Sequence, residues 1–326
     1  MRLRPDPFIV ALVSAALIAS FLPATGNLLE LLKHAAVVAI GLLFFLYGAR
    51  LSTAETIAGL TRWRLHLLIL STTFVVFPVL GLATQLLEGN LLRPSLAAGV
   101  LLLCLVPSTV QSCVVYTGIA RGNVAGAVVS ASMSNLIGVF LTPALVALLM
   151  SADARVDAGS IVRIVLQLFA PFVLGQLLRP LVGGFVTRQD ARLKLFDRGS
   201  IVLVVFVAFS EGADAHIWAS QTVWSVLSVA VVCAALLAAT MTWCVVVGRL
   251  TRLPRGDRVA LLFCGSNKSL ASGLPIASVL FAGDAVALIV LPLMLYHQMQ
   301  IITGALLARR LAPPAEPQGE TAGLRR

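Results

Sequence analysis

Charge is the scarcest commodity in this chain. Only 12% of its 326 residues are Asp, Glu, Lys or Arg, whereas 59% are apolar and the mean hydropathy is +0.98. A soluble domain of that length needs far more charge to cover its surface, so the chain reads as a polytopic α-helical membrane protein. The net charge of +10 does not point to nucleic acid, because the arginines cluster between apolar stretches instead of forming a binding face. Catalytic signatures are missing too. No H-E-x-x-H, G-x-S-x-G, Walker motif or pair of intramembrane aspartates is present, and only a Ser or Cys beside His297 remains as a nucleophile with a base. The five cysteines (Cys104, Cys113, Cys233, Cys244, Cys264) all fall in apolar stretches without a CxxC, which suits small buried hydrophobes and not disulfides or metal ligands. The sequence calls for no cofactor, no metal and no enzymatic activity.

What is present is a succession of ten apolar segments. Five lie in the first half, at about 8–22, 31–50, 65–87, 95–118 and 123–150. Five follow, at about 160–182, 199–215, 221–248, 257–281 and 285–308. Arg2 and Arg4 ahead of Phe8–Leu22 imitate a signal peptide, but such a segment serves equally well as a first membrane anchor. With both termini in the cytoplasm, nineteen of the 24 Arg and Lys residues fall on the inner side. Lys33, Arg93, Arg155 and Arg163 fall on the outer side, and Lys268 lies within the membrane. That asymmetry predicts an N-in, C-in protein of the inner (plasma) membrane. Residues 309–326, rich in Pro, Glu and Gly, read as a disordered cytoplasmic tail.

Two segments are not plain membrane helices. The ninth runs through Phe263-Cys264-Gly265-Ser266-Asn267-Lys268-Ser269-Leu270-Ala271-Ser272-Gly273-Leu274-Pro275, and the fourth through Pro107-Ser108-Thr109-Val110-Gln111-Ser112-Cys113. Pro107, Gly265, Gly273 and Pro275 are the expected helix breakers. A backbone that stops being helical inside hydrocarbon needs partners for its freed N–H and C=O groups, so such breaks occur where they are buried in protein or line a wet cavity. Each broken segment is followed by a tight turn, Gly122-Asn123 or Gly283-Asp284, and an intact helix; Asn123 and Asp284 suit helix N-caps. Five segments per half is odd, so the halves (1–150 and 160–308) enter the membrane with opposite orientations. Paired interruptions in an inverted repeat point to a midplane binding site.

These features resemble the bile acid:sodium symporter family, in particular its divergent sodium/bile-acid-cotransporter-like branch. The resemblance covers nearly the whole chain. It is most specific at Pro107-Ser108-Thr109-Val110-Gln111-Ser112, Ala120-Arg121-Gly122-Asn123, Gly265-Ser266-Asn267-Lys268-Ser269-Leu270 and Leu291-Pro292-Leu293-Met294-Leu295-Tyr296-His297-Gln298. It implies a panel domain (segments 1, 2, 6, 7), a core domain (3, 4, 5, 8, 9, 10), and alternating access around crossed segments 4 and 9. In sodium-coupled relatives the crossing holds two sodium ions. Carried over by motif, their Ser-Asn pair falls on Ser112 and Cys113, their segment 5 hydroxyls on Ala127 and Ala131, their Glu near Cys264 and their Gln on Lys268. The carboxylate a hard cation favours is therefore absent, and an ammonium stands in its neighbourhood.

Lys268 then has several readings. It is a built-in cation replacing sodium, a proton carrier, a partner for an anionic substrate at the half-helix N-termini, or a cap for unwound carbonyls of segment 4. The binding site is expected to gather Ser266, Asn267, Lys268 and Ser269 against Gln111 and Ser112. Ser130, Ser134 and Asn135 on segment 5, and His297 and Gln300 on segment 10, are secondary candidates, although serines in membrane helices often bond only to their own backbone. His34, His66 and His216 read as interfacial. The chain is thus expected to move a small organic anion across a lipid bilayer, with sodium or a proton as the candidate coupling ion. A non-transporting regulatory protein on the same fold is the alternative, as is a sodium symporter with a rearranged site.

Overall fold

The computed structural model describes residues 7–50, 62–150, 158–214, 222–281 and 286–312, and among them it is all helical. In chain order the helices are α1 (Pro7–Phe21), α2 (Gly26–Arg50), α3 (Trp63–Gln85), α4 (Pro94–Leu105), α5 (Gln111–Ile119) and α6 (Val124–Met150). There follow α7 (Ala158–Arg188), α8 (Asp190–Asp214), α9 (Val223–Leu250), α10 (Arg255–Ser266), α11 (Leu270–Leu280) and α12 (Val286–Leu311). Six of the described helices are long and apolar enough to cross a membrane, as a multi-pass membrane protein requires. The expected turn at Gly283-Asp284, His216 and most of the C-terminal tail lie outside the described residues.

The fourth and ninth apolar segments are each split in two. The fourth becomes α4 and α5, with Val106–Val110 non-helical between them. The ninth becomes α10 and α11, with Asn267, Lys268 and Ser269 as the irregular stretch. Pro107 lies within the first irregular stretch. Gly265, Gly273 and Pro275 were expected at the second and are not there: Gly265 sits in the last turn of α10, and Gly273 and Pro275 sit inside α11. The two glycines serve packing. A Cβ on Gly265 would stand 2.7 Å from the Cys244 sulfur, and one on Gly273 would stand 2.5 Å from a Leu293 methyl. The chain leaves the helix at Asn267 instead, where the backbone is extended.

A third irregularity has a covalent cause. Within α3, Thr72–Val76 forms a wider π-helical turn, in which the Phe77 N–H reaches back to the Thr72 carbonyl. The carbonyl of Thr73 would then look to residue 78, but Pro78 has no N–H to give. Thr73 is left with an unmet acceptor pointing into the protein.

Packing divides the helices into two groups. α1 lies against α8, and α2 against α7 and α8. α2 and α8 are joined at both ends, by the Lys33–Glu211 ion pair at 3.0 Å and by Arg50 donating to Asp197. In the other group α3, α6, α9 and α12 pack around α4, whose residues from Leu96 to Leu105 are buried except for Ala98. Small residues permit that depth: a Cβ on Gly99 would fall on the Ile289 carbonyl, and one on Gly81 would come within 2.7 Å of Cys104 Cβ. The same device closes α2 on α7, where Gly48 faces the Phe172 carbonyl and Gly175 faces that of Phe45. Overpacking of this kind costs about 1–3 kcal/mol per site. Gly48→Val and Gly175→Val are each expected to lower the melting temperature of the purified protein, whereas Gly41→Val, where a Cβ meets open space, leaves it unchanged.

Candidate functional site

The two broken stretches meet in the interior and satisfy each other. The Ser269 N–H donates to the Pro107 carbonyl at 2.7 Å, and the Ser108 hydroxyl donates to the Cys264 carbonyl at 2.6 Å. The Cys113 thiol, in the first turn of α5, donates to the Phe263 carbonyl at 3.2 Å. Each broken stretch thus supplies hydrogen-bond partners to the backbone of the other.

Several carbonyls at and beyond the end of α4 find partners on other elements. Those of Cys104 and Val106 accept from the Lys268 ammonium at 2.9 and 2.8 Å. That of Leu105 accepts from the Thr142 hydroxyl at 2.8 Å, and that of Ser108 from the Asn135 amide at 2.8 Å. The third ammonium proton goes to the orphaned Thr73 carbonyl of the π-helical turn, at 3.0 Å. The nitrogen also stands 4.0 Å from the centroid of the Phe77 ring, a cation–π contact. Lys268 is completely buried. It faces the negative end of the α4 dipole, where a cation is stabilised.

α12 holds the second break from the other side. Gln300 accepts the Lys268 N–H at 2.7 Å through Oε1 and donates through Nε2 to the Lys268 carbonyl at 2.8 Å. Its Nε2 also lies 2.8 Å from His297 Nδ1. One turn earlier, the Tyr296 hydroxyl donates to the Ser266 carbonyl at 2.7 Å. α6 contributes Ser134, which accepts from the Ser108 N–H at 3.0 Å, and Asn135, which accepts from the Ser272 hydroxyl at 2.6 Å. Ser269 caps α11 by accepting the Ser272 N–H. The Ser266 hydroxyl returns to its own helix at Leu262. Asn267 reaches the Cys113 sulfur through its amide nitrogen at 3.6 Å, while its Oδ1 is buried without a partner among the described residues.

Sequence reasoning placed Lys268 against Gln111 and Ser112, and there the structure differs. Gln111 is exposed and Ser112 half-buried on the first turn of α5, whereas the lysine points the other way, toward α3 and α4. Its ammonium is bonded to three main-chain carbonyls. Ser130 is also spoken for, 2.7 Å from His66 Nδ1. That histidine, expected at the interface, is only 3% exposed and belongs to the interior. Thr73, Thr142 and Tyr296 were missed. Pro78, five residues after Thr73, was the available signal for the first.

Beyond the crossing, at the start of α6, Asn123 caps its own helix by accepting the Gly126 N–H and donates to Asp257 at 2.6 Å. Arg62 donates to the other oxygen of that carboxylate at 2.9 Å.

Two interrupted apolar helices, crossed and buried among intact ones, define a membrane protein built around a polar centre in its interior, the construction used by secondary transporters. Comparison with known proteins gives that class a family. Residues 6–313 match the SBF-like CPA transporter family, and the chain belongs to it. An uncharacterised protein of Pseudomonas aeruginosa, PA2026, is 45% identical over 95% of this chain and 94% of its own length. YfeH of Escherichia coli, which carries a provisional symporter name, is 43% identical over 94% of this chain and 92% of its own length. Sodium/bile acid cotransporter 7 of Rattus norvegicus is 27% identical over 94% of this chain and 92% of its own length. The chain is thus a multi-pass membrane transporter of the bile acid:sodium symporter type and not an enzyme.

Removing one partner from a buried acceptor costs about 1–3 kcal/mol. Lys268→Met, which orphans three carbonyls, is expected to lower the melting temperature more than Thr142→Val, which orphans one. A Lys268→Met protein as stable as the parent would show that water replaces the ammonium at no cost.

Proposed function

We propose that this protein is an alternating-access carrier for a small organic anion in which Lys268 does permanently what a bound sodium ion does in sodium-coupled relatives. The supporting observation is the engagement of its ammonium with three main-chain carbonyls. These are cation ligands by chemistry, and a cation already covalently attached leaves them nothing to recruit from solution. The rearranged-sodium alternative draws on Ser130, Ser134 and Asn135, and each of these is bonded to protein. Transport is accordingly sodium-independent.

In this reading the chain crosses the inner membrane ten times as two inverted five-helix repeats, with both termini cytoplasmic, and the pairing of the α4/α5 and α10/α11 interruptions supports it. The substrate's negative group is met not by Lys268 but by the N-terminus of α5, where Val110 and Gln111 are exposed and no side chain among the described residues caps the helix. The first N–H groups of such a half-helix, together with its dipole, favour an anion.

Flux of a panel of small organic anions into vesicles carrying the purified protein tests this. Uptake is expected to be equal with sodium or choline as the external cation. Sodium-dependent uptake that persists in Lys268→Ala would return the chain to conventional symport. Gln111→Ala is expected to weaken substrate binding, read as loss of the anion-induced rise in melting temperature, while the melting temperature without substrate stays at the parental value because Gln111 is exposed.

A further inference from the structure

A cavity of about 790 Å³ lies far from the crossing, between the last turn of α2, the C-terminal third of α7 and the start of α8. Among its lining residues are Arg50, Gln176, Arg179, Thr187 and Asp190. Arg50, Thr187 and Asp190 belong to helix ends, on the side where the chain is most basic, with Arg188, Arg192, Lys194 and Arg198 close by in sequence, whereas Gln176 and Arg179 lie deeper within α7. The acidic residue of the lining is neutralised in place, since Asp190 pairs with Lys194 at 2.6 Å.

Arg50 is the informative member. One terminal nitrogen, Nη1, donates to Asp197 Oδ2 across to α8. The other two, Nε and Nη2, are buried and have no hydrogen-bond partner among the described residues. Nε–H and Nη2–H form one edge of the guanidinium, the edge whose parallel donors fit two oxygens of a single carboxylate or phosphate group. Gln176, packed where Gly48 lets α2 approach α7, has a buried Oε1 that is likewise unmet. Asp197 Oδ1, on the carboxylate that holds Nη1, is unmet as well. Buried polar groups without partners are uncommon, and each is costly. Arg50 and Gln176 both line the cavity, and Asp197 is joined to it through Arg50.

We propose that this cavity binds a phosphate group that also carries hydroxyl donors. Two phosphate oxygens take the free edge of Arg50, and a hydroxyl satisfies Gln176 Oε1. The position at the ends of three helices is the level at which headgroups lie, and a basic helix end draws anionic lipid. Phosphatidylglycerol and inorganic phosphate share the required chemistry, whereas phosphatidylcholine lacks the hydroxyl. The site is separate from the substrate position proposed above and does not depend on it.

Melting temperature of the full-length protein decides the matter. It is measured in phosphatidylcholine nanodiscs, in discs with a rising fraction of phosphatidylglycerol, and in phosphatidylcholine discs with added inorganic phosphate. A saturable rise with phosphatidylglycerol alone identifies a lipid site, and one with inorganic phosphate identifies a soluble ligand. Arg50→Lys keeps the charge beside Asp197 but removes the two-pronged edge, and it is expected to abolish the rise. Gln176→Leu, which keeps the helix packing volume, is expected to reduce it. No rise with either phosphate source, or a full rise in both variants, would overturn the proposal.

Discussion

The ammonium of Lys268 and three carbonyls that no helix can satisfy constitute the interaction on which the interior of this protein depends. Each of those carbonyls is left over for a different local reason. Thr73 loses its partner because Pro78 has no N–H, and Cys104 and Val106 lose theirs because the chain unwinds at Pro107. Alone, each would be an unmet polar group in an apolar surrounding. One flexible side chain with three protons gathers them. The cost of burying its charge is offset by those bonds, by the Phe77 ring and by the negative end of α4. Hydrogen bonds to charged groups contribute about 1.5–3 kcal/mol each, which makes this cluster a larger local term than any single apolar contact around it.

Much of that could be read before the structure. Interruption of two apolar segments was visible because Gly, Pro, Ser and Asn are conspicuous where hydropathy is otherwise unbroken. Asn123 was legible as a cap because the residue type and its position after a tight turn agree. The direction of the Lys268 side chain was not legible. A lysine stem has four rotatable bonds, and which carbonyls it reaches depends on where α3 and α4 lie, a tertiary fact. The breakers misled for a related reason. Gly265 and Gly273 have two possible explanations in sequence, conformational freedom and absence of a side chain, and only neighbouring helices decide between them. Cys244 and Leu293 decide for the second.

His66 shows the limit of reading position from segment ends. It lies near the start of α3, where a histidine suits the interface, but α6 passes close enough for Ser130 to meet its ring. The nearby Arg62–Asp257–Asn123 cluster extends the same tie from α3 to α10 and to the start of α6. Polar residues at these helix ends therefore look inward to one another, and charge at a segment boundary marks a junction between helices as readily as a surface.

The π-helical turn in α3 carries a mechanical consequence. Because Thr73 shares the Lys268 ammonium with Cys104 and Val106, α3 and α4 are fastened by their main-chain carbonyls to one side chain of the irregular stretch between α10 and α11. Sliding any of these past the others would strip a buried charge of its ligands. They are obliged to travel as one block. In the alternating-access carrier proposed above, displacement between its states would then be taken up where the ties are apolar or small, along the faces that the α1, α2, α7 and α8 group presents to that block. The proline at 78 acts, at a distance, as a rivet that decides which parts of the protein are allowed to move.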